Sequence, residues 1–301
     1  MNQKLEFLSN ELNMDKVDLI CVLGPTASGK TKYAVKVAYE TGGEIISADS
    51  RQVYRGMDIG TGKDLEEYNY NGVDIPYHLI DIAEPGYKYN IFEYQRDFHE
   101  VYKDIKSRGR QPILCGGSGL YIEAATMGYR LQEVPPDPKL REELEKHSHQ
   151  ELVKILEQHR PLHNTTDTTS RKRLVRALEI AIHTKEFGCA EQHFPQIHTR
   201  YIGMKVSREE RIERIDRRLR ERLQNGMIEE VEGLIKKGIP TENLLYYGLE
   251  YKYVTLFLTG KLTREQMEIS LATAIHQFAK RQMTWFRGME RKGIEIEWVG
   301  I

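Results

Sequence analysis

Apolar residues come in short blocks along the first half of the chain, and two spacings alternate between them. Runs of four to six residues at Asp18–Leu23, Glu44–Ala48, His78–Ile82, Pro112–Cys115 and Tyr201–Val206 have the length and β-branched content of buried strands. Most of the gaps between them carry helical spacing, as at Lys32–Glu40 and Phe92–Lys106. This alternation predicts an α/β fold, a parallel sheet flanked by helices on both faces. Ligands in such sheets sit beyond the carboxyl ends of the strands. Gly24, Asp49 and Gly116 each directly follow a strand-like run, so the pattern places all three on one rim.

The pattern changes near Leu131. Val134-Pro135-Pro136-Asp137-Pro138 is a cluster of breakers. A charged helical stretch follows over Lys139–Gln158, then a loop from His159 to Ser170 and a helix over Arg171–Lys185. Strand character returns only at Tyr201. The expected organisation is a core in two parts, 1–123 and 196–301, with a mostly helical insertion at 124–195. The last third is helical and arginine-rich. Over Arg208–Arg222 the residues Ile212, Ile215, Leu219 and Leu223 form an apolar stripe, with Arg211, Arg214, Arg218 and Arg222 beside it. Near the end, Leu271, Ile275, Phe278, Trp285 and Phe286 mark a core-facing stripe, with Trp285 expected inside. Gln277, Lys280, Arg281, Thr284 and Arg287 lie on the opposite face.

Composition narrows the possibilities. The 301 residues carry a formal net charge of −1, so any nucleic-acid surface must be local. Neither a membrane-length apolar run nor the layout of a secretory leader is visible, and a cytoplasmic protein is expected. Cys21, Cys115 and Cys189 are too far apart for a paired metal or redox motif, and the first two lie in strand-like runs as core residues. The ten histidines show no metal-ligand spacing.

The most specific chemistry lies in Gly24-Pro25-Thr26-Ala27-Ser28-Gly29-Lys30-Thr31, which fits G-x-x-x-x-G-K-[ST] between a strand and a helix. Backbone N–H groups of such a loop and the helix behind it point at phosphate oxygens. Lys30 adds a cation, and the Thr31 hydroxyl can help to hold Mg²⁺. The loop specifies a polyphosphate without saying which one. Asp49 is suited either to metal binding or general-base work, or to capping the next element. Gly116-Gly117-Ser118-Gly119 is either a close backbone approach to a ligand or a tight strand-to-helix turn. Arg171-Lys172-Arg173 with Arg176 is a phosphate grip or a solvated basic face.

Taken together, GPTASGKT (24–31), ISADSRQVYRGMDIGTGK (46–63), HLIDI (78–82), GGSGLYI (116–122), RLVRALEI (173–180), RIDRRL (214–219) and AKRQMTWFR (279–287) resemble the tRNA dimethylallyltransferase (isopentenyltransferase) family, in family order and over most of the chain. The resemblance implies a P-loop nucleotide-binding-type parallel sheet with a helical tRNA-binding insertion. It implies transfer of a dimethylallyl group from dimethylallyl diphosphate to N6 of the adenosine 3′-adjacent to the anticodon, in tRNAs reading U-initial codons. By family match Asp49 is the general base. Thr26, Lys30 and Thr31 with Mg²⁺ neutralise the diphosphate, assisted by Arg214 or Arg218, and Ser118 touches the reacting nucleoside. The tRNA contacts implied are Asp49, Ser50, Arg51, Gln52, Ser118, Arg141, the segment Lys172-Arg173-Leu174-Val175-Arg176, and Lys280 with Arg281. A monomer that grips the anticodon stem-loop is expected.

Ser118 occupies a position where the family usually has Thr, which keeps the hydroxyl. Three departures stand out: the approach to the 171–185 helix reads Asn164 to Ser170 in an insertion shorter than the family's, Glu250 stands where many members have Gly, and no cysteine/histidine finger is expected after the core. Two enzyme alternatives remain: adenylate isopentenyltransfer to free AMP or ATP, and a P-loop small-molecule kinase. A non-catalytic RNA-binding protein is a further class. The basic helices favour tRNA over a free nucleotide, and a kinase does not account for GGSGLY or AKRQMTWFR.

Overall fold

In the computed structural model residues 17–159, 166–188, 191–192 and 194–300 are described. Cys189 and the first two residues of the 164–170 approach, Asn164 and Thr165, therefore lie outside the described residues. The chain divides into two units, Met1–Gly128 with Pro195–Ile301, and Tyr129–Phe194.

Among the described residues of the first unit, six strands form one sheet: β1 (Leu19–Leu23), β2 (Glu44–Ala48), β3 (Tyr77–His78), β4 (Pro112–Gly116), β5 (Thr199–Lys205) and β6 (Ile296–Gly300). Their order is β6-β5-β1-β4-β2-β3, and every pairing is parallel. β1, β2 and β4 are buried along their whole length, which is why they read as unbroken apolar runs. Successive side chains of β1 enter different cores. Leu19, Cys21 and Leu23 join the larger one, while Ile20 and Val22 pack on Ala34, Val35 and Ala38 of helix α1 (Lys30–Thr41). The larger core is closed by helices α2 (Ile91–Ser107), α3 (Gly119–Thr126), α7 (Arg208–Gln224), α8 (Met227–Lys236), α10 (Leu249–Leu258) and α11 (Arg264–Arg291). A short helix, α9 (Thr241–Leu244), precedes α10.

Two strand readings change. The expected strand at His78–Ile82 pairs only at Tyr77–His78, because Leu79 and Asp81 have φ of 61° and 56° and cannot continue a ladder. The edge strand β6 was not foreseen. Its burial is only partial and Glu297 interrupts its apolar run. α11 is also longer than its apolar stripe suggested. A capping box between Thr263 and Gln266 starts it well before Leu271.

The second unit is helical. The charged stretch expected to be one helix is two, α4 (Pro138–Glu145) and α5 (His149–His159), followed by α6 (Arg171–Phe187). Asp137 caps α4 by accepting from the N–H groups of Lys139 and Leu140, with Pro138 in the first turn. Leu144, Leu152, Leu156, Leu174, Val175 and Leu178 form this unit's core.

Candidate active site

A cavity of about 1290 Å³ in the first unit is lined by the loops after β1, β2 and β4, together with α7, the start of α10 and part of α11. The β1–α1 loop supplies Thr26 to Thr31. Gly29 and Ala27 take left-handed φ of 77° and 59°, which turns the loop back on itself. No side chain caps α1, so its first N–H groups remain available to an anion. The Lys30 ammonium lies over its own loop, donating to the Pro25 carbonyl at 3.5 Å. Burial lowers the Lys30 pKa, and Arg218 pushes the same way. An anion in the loop would relieve both effects.

Asp49 faces the same cavity from the end of β2. No helix follows, so it is not a helix cap. Its Oδ1 accepts from the Arg51 N–H at 2.8 Å and fixes a turn, while its own N–H donates to the Ser47 hydroxyl. Oδ2 has no hydrogen-bond partner among the described residues. The turn therefore uses one oxygen and leaves the other for chemistry. Gln52 accepts from the Ser47 hydroxyl and donates to the Gly62 carbonyl at 3.0 Å, joining this turn to the 57–64 loop. Ser118 sits at the N-terminus of α3 without capping it, and its Oγ accepts from the Ser50 N–H at 3.4 Å. The glycine-rich segment is thus a strand-to-helix turn that also forms cavity wall.

Helix α7 aims Arg214, Arg217, Arg218 and Arg222 at the cavity. Arg218 and Arg222 both donate to Asp64 Oδ2, at 3.0 and 3.3 Å. Arg214 is instead paired with Glu210 one turn earlier at 2.5 Å. Asp64 and Gln282 did not stand out in the sequence, and Arg222 stood there only as one of four arginines beside the apolar stripe of α7. Burial lowers the Arg222 pKa, with Arg218 adding repulsion and Asp64 and Glu250 opposing it. Glu250 lines the cavity, and burial raises its carboxyl against the attraction of Arg222 and Arg218. Gln282 lies in the apolar stripe of α11 between Ala279 and Phe286, only 7% exposed. A polar residue in a buried stripe was the available signal. Trp285, expected in the core, is 39% exposed, and its Nε1–H donates to the buried Glu123 at 2.9 Å. Phe278 is likewise 37% exposed.

The expected tRNA contacts divide. Ser50, Arg51 and Gln52 line the cavity with Asp49 and Ser118. Lys280 and Arg281 lie on the exposed face of α11. In the second unit Lys172 and Arg173 are exposed, but Leu174 and Val175 are core residues whose side chains cannot meet a ligand. Their inclusion as contacts is corrected by their inward register on α6. Arg141 and Arg176 converge on Glu179, itself 1% exposed, with Arg141 bidentate at 2.7 Å. Arg176 also donates to the Val134 carbonyl at 2.7 Å.

Among the described residues no group of three or more His, Cys, Asp or Glu is arranged to hold a metal. The cavity does offer hard oxygen donors, the Thr31 hydroxyl and the Asp49 carboxylate, beside a phosphate loop. That set fits Mg²⁺, which binds through few protein oxygens and substrate phosphates. No helix among the described residues is long and apolar enough to cross a membrane.

The family model described as IPP transferase matches residues 52–289, and one described as isopentenyl transferase matches residues 17–74. Among curated proteins, tRNA dimethylallyltransferase 2 of Bacteroides fragilis strain YCH46 is 57% identical over 288 residues, covering 96% of this chain and 94% of that protein. tRNA dimethylallyltransferase 1 of Porphyromonas gingivalis is 57% identical over 93% of both chains. The crystal structure of a full-length tRNA isopentenylpyrophosphate transferase from Bacillus halodurans is 33% identical, with a TM-score of 0.68 over 95% of this chain and 90% of that one. A eukaryotic dimethylallyltransferase acting on tRNA shares the fold at 23% identity, with a TM-score of 0.75 over 95% of this chain and 74% of that one.

Proposed function

This chain belongs to the IPP transferase family, and we propose that it transfers a dimethylallyl group from dimethylallyl diphosphate to N6 of the adenosine 3′-adjacent to the anticodon, in tRNAs reading U-initial codons. The observation that carries the chemistry is the meeting of three parts in one cavity: the phosphate loop, the half-engaged Asp49 carboxylate, and the Arg218–Arg222 pair. Relatives of this length and identity select tRNA over free nucleotide and over kinase chemistry.

In this reading the loop N–H groups, Thr26 and Lys30 hold the diphosphate. As N6 attacks the prenyl C1, the C1–O bond breaks and negative charge grows on the departing diphosphate. Lys30 and Arg218 meet that charge from the cavity wall. The unpartnered Oδ2 of Asp49 takes the proton lost from N6. Ser118 and the 50–52 turn orient the adenosine, which must leave the anticodon stack to enter. Thr31 and the diphosphate oxygens would hold Mg²⁺, which supplies charge neutralisation at the leaving group. Lys172, Arg173, Lys280 and Arg281 are exposed cations that would meet RNA phosphates. We take the working form to be a monomer.

The test offers dimethylallyl diphosphate and Mg²⁺ with unmodified tRNA or with AMP, and reads digests by mass spectrometry. A five-carbon addition to adenosine in tRNA alone is expected. Addition to AMP, or phosphoryl transfer from ATP with no prenyl product, would overturn the assignment.

A further inference from the structure

We propose that Gln282 is a positioning residue that clamps the phosphate loop to the Gly116–Gly119 turn and so holds the two halves of the cavity in register. Its amide spans the gap between them. Oε1 accepts from the Thr26 N–H at 2.9 Å, and Nε2 donates to the Gly117 carbonyl at 2.9 Å. Both partners are backbone groups, one beyond β1 and the other beyond β4. Gln282 comes from the C-terminal helix, 256 residues from Thr26 and 165 from Gly117.

The turn is shaped around this amide. A Cβ at Gly117 would lie 2.3 Å from Gln282 Nε2 and 3.0 Å from the Gly24 carbonyl, so both the clamp and the loop need a glycine there. One residue pair further on, a Cβ at Gly119 would lie 2.2 Å from the Trp285 ring. The same helix therefore packs onto the turn at two successive points. A buried amide with one donor and one acceptor engaged is matched to this pair of backbone groups, whereas an apolar residue would leave the Thr26 N–H and the Gly117 carbonyl unpaired. Thr26 belongs to the loop read as holding diphosphate, and Ser118 to the turn read as holding adenosine. In these terms the clamp sets the distance between leaving group and nucleophile, to which bimolecular chemistry is steeply sensitive. That naming of the two halves rests on the prenyl-transfer reading; the clamp itself rests on the two hydrogen bonds.

The experiment uses the full chain with Mg²⁺ and compares the parent with Gln282→Met and Gln282→Glu. Calorimetry reads binding of inorganic pyrophosphate, a thermal melt reads stability, and steady-state assays read prenyl transfer to tRNA across pH. The Gln282→Met variant is expected to lose about tenfold in pyrophosphate affinity, a larger factor in kcat, and little in KM for tRNA. Gln282→Glu keeps the acceptor for Thr26 but sets an oxygen against the Gly117 carbonyl. When protonated, its carboxyl again offers one donor and one acceptor, and burial moves that protonation upward. Its activity relative to the parent at the same pH is therefore expected to recover as pH falls from about 8 to about 6. A role for the volume of the side chain alone would give no such recovery. Parent-like pyrophosphate affinity in Gln282→Met, or a pH-independent deficit in Gln282→Glu, would overturn the clamp, the second holding even if Gln282→Met fails to fold. A parent chain that binds pyrophosphate but transfers no prenyl group would instead remove the reaction assignment, leaving the pyrophosphate comparison to decide the clamp.

Discussion

Two glycines with nearly the same backbone separate strain from arginine placement. Gly56 has φ of 65° and Gly62 has φ of 66°. Alanine at either position meets the left-handed penalty of about 1–2 kcal/mol. At Gly56 a Cβ would meet nothing within 4 Å. At Gly62 it would lie 1.9 Å from Arg222 Nη2 and 2.1 Å from Arg218 Nη2. The backbone there cannot retreat, because Gln52 holds the Gly62 carbonyl and the buried Lys63 donates to the Tyr54 carbonyl at 2.6 Å. The guanidinium groups must move instead. As the ends of flexible side chains they move at little further cost in stability. Under the proposed reaction, though, each is a charge-assisted contact with the departing diphosphate, and losing one removes about 1.5–3 kcal/mol. Gly62→Ala is therefore expected to lower kcat/KM about ten- to a hundredfold. Gly56→Ala is expected to leave it within about twofold. Urea unfolding should show similar losses for the two variants. Equal kcat/KM for both, in either direction, would refute the placement argument.

Asp49→Asn keeps the Oδ1 acceptor that fixes the turn at Arg51 but supplies no base, so prenyl transfer should fall about 10²- to 10⁴-fold while gel-shift affinity for tRNA is retained. Parent-like turnover would move the base elsewhere. Glu44 is buried at the start of β2, where Arg108 binds both its oxygens and His78 Nε2 approaches at 2.8 Å; hydrogen bonds from Arg108 lead in holding its pKa down at about 2 against an ordinary 4.5. The folded chain favours the carboxylate, so this contribution is complete above about pH 4.5 and is lost as pH falls toward 2. Glu44→Gln should destabilise by about 2 kcal/mol in urea at neutral pH and by much less near pH 3; an undiminished difference at the lower pH would contradict the linkage.

Legibility in the sequence followed the number of constraints on each residue. β1, β2 and β4 were readable because both faces of each strand are buried, which forces continuous apolar runs. β6 was not, because an edge strand is apolar only where it packs. The phosphate loop was readable because its backbone geometry demands glycine at fixed spacing. Asp49 was half readable: its position after β2 was plain, but turn-fixing and catalysis leave the same letter, and the structure shows Oδ1 engaged in a turn with Oδ2 unpartnered among the described residues. Gln282 and Arg222 were hidden for opposite reasons. Gln282 is a lone polar residue within an apolar stripe, whereas Arg222 is one of many arginines on an apparently self-neutralising helix. Only tertiary structure tells which of those cations faces Asp64.

That distinction separates two pairs of arginines, Arg141 with Arg176 and Arg218 with Arg222. Arg141 and Arg176 are held by Glu179, which is buried and also accepts from the Asp137 N–H at 3.0 Å. Burial pushes the Glu179 carboxyl up, but hydrogen bonds from Arg141, the Asp137 N–H and Arg176 outweigh it and keep the group ionised. A ligand phosphate that took either arginine would leave that carboxylate buried with fewer partners, at a cost of several kcal/mol. A phosphate could meet these two half-exposed cations only through the N–H donors that Glu179 leaves over. Arg218 and Arg222 share Asp64, whose side chain is 37% exposed and can be rehydrated when it is released. An exposed counter-ion is worth about 1 kcal/mol or less, so a multiply charged diphosphate can displace it. Whether an arginine is available to substrate is thus set by the burial of its carboxylate partner. By that criterion α7 supplies the exchangeable pair, whereas Arg141 of α4 and Arg176 of α6 keep their shared carboxylate.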